Sequence, residues 1–419
     1  MKQLENFEEL LPMLKSGSSI VMHSAAAEPR WLEEQLALCG SELKNIDIYM
    51  LSPMGLVPFA SLAPKHIKIH AWVPGRGLRS VAGNDSIQYY RYPLSQIPDL
   101  YLSSKKHADF LFLHVSPPDD QGRMSLGVSV DYMPAVLAGR PLVVAEIDAS
   151  IPHTFGDTLI TEDQIDYWIS TDEGPLEVTS PPIDDGERRI AQLVADLVRD
   201  GAILQTGVGS IPDAMLQALA SNPPRDLGIH TGVFTEGVIE LANTGNVTNA
   251  TKPHSRKMVT AMAWGTPPLY KYLDQNDEVE IRACSFTHDP QVLREMDHLY
   301  AINSALQIDL AGRANAEALK GRIISAPGGL PDFAPAARAA SNGLSIVALR
   351  ATSRDGKSSN IVPIFPEEAP ITLSQGQIDF VVTEFGAADL RDLSPSQWAK
   401  ALIRVAHPDF RSDLARSIA

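Results

Sequence analysis

The chain is poor in cysteine, with two thiols, Cys39 and Cys284, in 419 residues. No CxxC or paired Cys/His spacing surrounds either one, which excludes a zinc ribbon or a dithiol redox centre. Both read as buried, reduced thiols of the kind a reducing compartment maintains. Cationic residues are also in deficit: Lys and Arg number 35 against 51 Asp and Glu, a formal charge of −16. A surface so negative repels phosphate backbones, so nucleic acid is not an expected partner. A small anionic ligand stays possible, because a few backbone N–H groups and local cations can hold one against the global field. No apolar run approaches the ~20 residues of a membrane span. The start, MKQLENFEELLPML, is acidic and amphipathic and lacks the basic, apolar and small-residue zones of a signal peptide. The expectation is a soluble, cytoplasmic protein with no membrane partner.

Several catalytic signatures are missing. There is no G-x-S-x-G elbow and no HExxH or comparable metal-ligand spacing, so no metal site is expected. Residues 351–358, ATSRDGKS, nearly spell a phosphate-binding P-loop. Ala351 stands at the first glycine, however, and the following Asn360–Pro363 reads as a strand where a helix is required. His114, His230, His254, His288 and His407 are scattered, and each reads first as a packing or hydrogen-bonding residue.

What is present is a regular alternation. Apolar, β-rich runs appear at 19–25, 45–51, 66–73, 109–116 and 141–148, with helical patterns at 31–43 and 130–139. Runs without strict apolar/polar alternation suit strands buried on both faces, as parallel sheets require. The pattern predicts an α/β class. GPLEVTSPPIDDGE at 174–187 reads as a linker, followed by an amphipathic helix over 188–201 and strands at 202–207, 259–265, 278–286, 344–351 and 379–386. Two domains are expected, 1–183 and 184–419, the second repeating the class of the first.

Two glycine-rich turns stand out. In AILQTGVGSIPDAMLQALA (202–220) a strand runs into Gly207-Val208-Gly209 and a helix begins near Pro212. Such a turn lets a ligand approach the backbone, and the free N–H groups of the helix start favour an anion. Pro212 stands where a dinucleotide fingerprint needs its third glycine, which argues against a nicotinamide cofactor. The second turn, SAPGGLPDFAPAARAA (325–340), carries Gly328 and Gly329 and reads alone as a surface loop stiffened by proline.

Taken in order, these segments resemble one family. GVGSIPDAM (207–215) is similar to the G-[IV]-G-x-I-P-D-A element of the acetyl-CoA hydrolase/transferase family, which includes 4-hydroxybutyrate CoA-transferases. HSAAAEP (23–29), VSPPDDQGRMSLGVSVD (115–131), AEIDASIPHTFGD (145–157), GVIELANTGNVTN (237–249), YAINSALQIDLAGRANAE (300–317), GGLPDF (328–333) and VVTEFGAADLRDLSPSQWAKALIRVAHPDF (381–410) continue the resemblance. The resemblance implies two similar CoA-transferase-type α/β domains with mostly parallel sheets, an active site at the domain interface, and a homodimer. It implies an enzyme, with coenzyme A or acyl-CoA as substrate, a small carboxylate as acceptor and no permanently bound cofactor or metal. By the same resemblance Gly207, Gly209, Ser210, Ile211, Pro212, Asp213, Asn303, Gly328 and Gly329 are expected to face CoA.

The family's chemistry runs through a glutamate that attacks the acyl-CoA thioester, splitting one exchange into covalent steps. That glutamate belongs to an H-T-E element, and this chain reads His230-Thr231-Gly232. Ala326, Pro335 and Ala336 likewise depart from the second loop's pattern. Candidates to compensate are Glu236, four residues on, and His230 as a general base, while Glu384 reads as structural. The implied activity is CoA transfer on a short-chain acyl-CoA of the acetyl-CoA/4-hydroxybutyrate type. An acyl-CoA hydrolase using water and a non-catalytic CoA-binding relative are the alternatives.

Overall fold

The strands form where the apolar runs lie, and in the computed structural model, which describes residues 1–61, 66–79 and 87–418, the chain divides into two units. Unit 1 comprises Met1–Thr179 and Val259–Phe286, and unit 2 comprises Ser180–Met258 and Thr287–Ala419. The expected boundary at 183/184 lies close to the first of these crossings. A single boundary does not contain the return of Val259–Phe286 to unit 1.

Unit 1 is built on an eight-stranded sheet. Its strands are β1 (Lys2–Gln3), β2 (Ser19–Met22), β3 (Ile46–Met50), β4 (Ile67–Ala71), β5 (Ile87–Tyr89), β6 (Phe110–Val115), β7 (Leu142–Asp148) and β8 (Tyr167–Thr171). The order is β1-β8-β7-β6-β2-β3-β4-β5, with every neighbouring pair parallel. Central β6 is buried at every residue, which is why FLFLHV shows no alternation. Helix α1 (Arg30–Leu38) packs Leu32 and Leu36 into the core with Phe7, Ile48 and Phe112.

Unit 2 carries a six-stranded sheet of β9 (Ile203–Thr206), β10 (Gly228–Ile229), β11 (Leu299–Ser304), β12 (Leu344–Ala348), β13 (Phe380–Thr383) and β14 (Gly386–Asp389). The order is β10-β9-β11-β12-β13-β14, parallel throughout except for the β13/β14 hairpin at one edge. The α/β class with mostly parallel sheets is as expected. Among the described residues no helix is long and apolar enough to cross a membrane.

Three local readings change. The proposed linker ends earlier, because Asp184 caps α2 (Asp185–Ala195): its carboxylate accepts the Glu187 N–H while the Glu187 carboxylate accepts the Asp184 N–H. The predicted strand over 278–286 is extended only at Val279–Ile281 and turns into a short helix at Cys284–Thr287. Residues 330–339, read as a proline-stiffened loop, form a helix with Pro335 inside it. Cys39 and Cys284 are both buried thiols that form no disulfide with one another.

Unit 1 buries three glutamates with few partners. Glu146 accepts the Leu32 N–H (2.8 Å) with one oxygen, and the other has no partner among the described residues. Glu28 accepts the N–H groups of Met54 and Gly55, and both Glu33 carboxyl oxygens lack a partner among the described residues. Burial pushes Glu28 up to about 7 and Glu146 up to about 8, and holds Glu33 well above its ordinary value, with Glu28 and Glu146 adding to the effect. Folded-state values above the ordinary 4.5 mean that the protonated forms favour the fold. Their stabilisation is complete below pH 4.5 and is lost as pH rises through the range of about 7 to 8. The thermal midpoint is therefore expected to fall between pH 5 and pH 8, and Glu33→Gln to raise it at pH 8 but not at pH 5. A midpoint that Glu33→Gln shifts equally at both pH values, followed by circular dichroism, would contradict this.

Candidate functional site

Three adjacent strands of unit 2, β10, β9 and β11, run parallel, so their carboxyl ends emerge on one edge of the sheet. Ligands of open α/β sheets bind at such carboxyl ends. Here those ends deliver the segments singled out in the sequence: Gly207–Asp213 after β9, His230-Thr231-Gly232 after β10, and Asn303 on β11.

The first loop is held from both sides. Gly207 N–H donates to the Ile302 carbonyl (2.9 Å). Beneath it Gln205 and Asn303 form a buried reciprocal amide pair, with Gln205 Nε2 donating to Asn303 Oδ1 (3.1 Å) and Asn303 Nδ2 to Gln205 Oε1 (2.7 Å). A Cβ at Gly207 would lie 3.2 Å from Asn303 Oδ1, so glycine is what lets the loop close on this pair. Gly209 caps helix α3 (Ser210–Ser221) with φ 120°, a conformation that favours glycine, and a Cβ there would meet nothing within 4 Å. Ser210 Oγ donates to Glu187 Oε1 (2.7 Å). Asp213 accepts from Thr235 Oγ1 (2.8 Å) and from Ser180 Oγ. Ile211 and Pro212 point into the interior, so the exposed part of this loop is Val208 and the backbone around Gly209.

The second segment is tied to the first by a hydroxyl. Thr206 N–H donates to Thr231 Oγ1 (3.2 Å), and that hydroxyl donates to the Thr206 carbonyl (3.0 Å). Next in the chain, Gly232 is buried against an imidazole: a Cβ there would lie 3.0 Å from His288 Nε2 and 3.2 Å from its Cε1. The same ring faces the third segment. A Cβ at Gly329 would lie 2.7 Å from His288 Nε2, and Phe333 crosses the ring edge-on at 4.9 Å. Gly328 adopts φ 57° with open space beside it, and Gly329 caps helix α4 (Leu330–Ala339). The first glycine turn, position 232 and the second glycine turn therefore form one continuous cluster within unit 2.

His230 has one ring nitrogen committed. Its Nε2 lies 2.8 Å from the Thr287 carbonyl, an acceptor only, so that nitrogen carries a hydrogen. Burial first, and then the Lys252 ammonium, hold His230 well below its ordinary value, which keeps the ring neutral. Glu236 opens the helix Glu236–Ala242, half-buried. Glu384 Oε2 accepts the Ala351 N–H (2.9 Å) and so has a structural tether. Among the described residues no group of three or more His, Cys, Asp or Glu side chains is arranged to hold a metal ion.

The residue that sequence reasoning missed is His288. Its Nδ1 is 2.7 Å from Thr287 Oγ1, its Nε2 is buried without a partner among the described residues, and burial pushes its pKa down to about 3. The sequence reading took it only as a packing or hydrogen-bonding residue, and the local T-H-D-P pattern says nothing of a glycine brought against it from another loop.

Models of the acetyl-CoA hydrolase/transferase N-terminal and C-terminal domains match residues 1–179 and 265–418. The chain belongs to the acetyl-CoA hydrolase/transferase family. As a member it is 33% identical over 415 residues to the 4-hydroxybutyrate coenzyme A transferase of Clostridium kluyveri, covering 97% of this chain and 96% of that one. Among solved structures, RipA from Yersinia pestis superposes with a TM-score of 0.92 at 30% identity, covering 99% of this chain and 96% of RipA. A 4-hydroxybutyrate CoA-transferase from Porphyromonas gingivalis gives 0.83 at 32% identity, covering 100% and 97%. The two-part hydrolase/transferase architecture is thus that of the family.

The buried amide pair under the first loop generates a test. Asn303→Ala strips Gln205 of both its amide partners in a buried setting and is expected to cost ~1–3 kcal/mol. Urea unfolding would measure it, and a loss below ~0.5 kcal/mol would mean that the pair does not anchor the loop.

Proposed function

We propose that this chain is an acyl-CoA:carboxylate CoA-transferase-type protein acting on a short-chain acyl-CoA thioester, with Gly232 at the position of the family's nucleophilic glutamate. The observation that carries this reading is that position 232 joins the two glycine turns, to the first through the Thr206–Thr231 hydrogen bonds and to the second through the shared contact with His288. Gly209 and Gly328 are the two glycines of the cluster beside open space, where a backbone can approach a thioester or a pyrophosphate. Backbone N–H groups at such loops suit the oxyanion of a tetrahedral species. Binding energy from the CoA nucleotide, remote from the reacting carbon, then serves the chemistry.

With glycine at 232 a covalent glutamyl relay cannot begin there. Glu236 is the nearest carboxylate in sequence. If it attacks, the exchange keeps its covalent form; if water attacks, the product is a free acid and CoA thiol. The acyl and acceptor groups follow the relatives named above: acetyl and 4-hydroxybutyryl thioesters with a small carboxylate. We place the protein in the cytoplasm and as a homodimer on the same reading.

The test is direct. Calorimetry is expected to show saturable CoA binding that Gly209→Val weakens at least ~10-fold, or about 1.4 kcal/mol, because the substitution strains a φ of 120° and fills the open space. Mass spectrometry of acetyl-CoA incubated with a short carboxylate is expected to show the new acyl-CoA. Thiol release without any acceptor would establish the hydrolase instead. Absence of CoA binding by the intact chain would reject the thioester reading altogether.

A further inference from the structure

The backbone of Gly232 does not itself require glycine. Its φ lies outside the left-handed region that the chain's positive-φ glycines occupy. Among the described residues, and beyond its chain neighbours, nothing except His288 lies within 4 Å of a Cβ at this position. A side chain there would press on one group alone, at 3.0 Å from His288 Nε2, and the ring would have to give by a few tenths of an ångström to admit even a Cβ.

Neither side can retreat easily. On the 232 side, His230 N–H donates to the Leu204 carbonyl (3.0 Å) and Thr231 Oγ1 is bonded to both backbone groups of Thr206, which fixes the strand exit. On the other side, Thr287 Oγ1 holds Nδ1 at 2.7 Å, Phe333 closes one edge, and Gly329 stands at the same nitrogen with no room for a Cβ. The Asp289 carboxylate, accepting from Gln291 N–H (2.6 Å) and Val292 N–H (3.2 Å), caps the helix Pro290–Arg294 and anchors the backbone just after the ring. The ring thus sits between two glycines with its Nε2 unpaired. An unpaired buried nitrogen costs stability, and a group kept at such a cost asks for a reason other than stability.

We propose that His288 and Gly232 form a steric lock: the imidazole fills the volume a carboxylate side chain at 232 would need, so the site carries one or the other and not both. Packed interiors transmit such conflicts rather than absorb them. His288 is on this view a positioning residue that determines which chemistry the site can hold, and replacing Gly232 alone does not restore a nucleophile in working geometry. The functional half of the inference rests on the reading of 232 as the nucleophile position, whereas the steric half rests on the contacts alone.

A double-mutant cycle separates the halves. Thermal midpoints of wild type, Gly232→Ala, His288→Ala and the double variant test the contact. Gly232→Ala is expected to lower the midpoint in the His288 background and to leave it unchanged or raised in the His288→Ala background. Equal shifts in both backgrounds overturn the lock. Exchange between acetyl-CoA and a short carboxylate, with borohydride trapping of a glutamyl-CoA adduct, tests the chemistry. The G232E/H288A variant is expected to exceed G232E by at least ~100-fold and to yield the trapped adduct, since a reacting carboxylate displaced by an ångström or more loses about that much rate. Full exchange from G232E alone overturns the lock and leaves the nucleophile reading intact. Stability coupling without any exchange in the double variant keeps the lock and overturns the nucleophile reading.

Discussion

The site depends on the parallel pairing of β10, β9 and β11. Parallel ladders point all their carboxyl ends one way, so loops from distant parts of the chain are delivered to one sheet edge. Ile203 sits between Gly228 and Leu299 in register, and Leu204 between Ile229 and Tyr300. A slip of β9 against β10 would pull the Thr206–Thr231 hydrogen bonds apart, and a slip of β9 against β11 the Gln205–Asn303 amide pair.

Upon that frame the glycines do two different jobs. Gly209 and Gly328 hold backbone conformations that suit glycine, and they border open space. Gly207, Gly232 and Gly329 are held there by what would touch a Cβ: the Asn303 amide in the first case and the His288 ring in the other two. The first kind shapes an opening, and the second lets a side chain sit tightly against the main chain. A sequence shows both as the same letter.

That difference sets how much was legible. Apolar runs located the main strands because burial on both faces erases alternation, and β6 and β7 lie close to where their patterns put them. Strand β11 was quoted for its family resemblance rather than as a strand, although it is the third strand of its sheet. The segment after Ile281 misled because an apolar run such as ACSF serves a short buried helix as well as a strand. In the site, the glycine turns and the H-T-G triplet were readable as local patterns. His288 was not, since its meaning lies in contacts with two glycines from separate loops, and the bond of His230 to the Thr287 carbonyl is likewise invisible in one dimension.

The return of Val259–Phe286 bears on how the chain is made. Val279–Ile281 pairs in parallel with Phe155–Gly156, and at Gly156, φ 113°, a Cβ would lie 2.3 Å from the Ile281 carbonyl oxygen. The amino-terminal unit thus lacks a strand of its own until synthesis has passed residue 286, well beyond the midpoint of the 419-residue polypeptide. A nascent amino-terminal half emerging from the ribosome must wait with Phe155–Gly156 unpaired while Ser180–Met258 of the second unit is added. Folding here is not two independent acts in sequence, and a fragment cut at the apparent linker would leave Phe155–Gly156 without its strand partner.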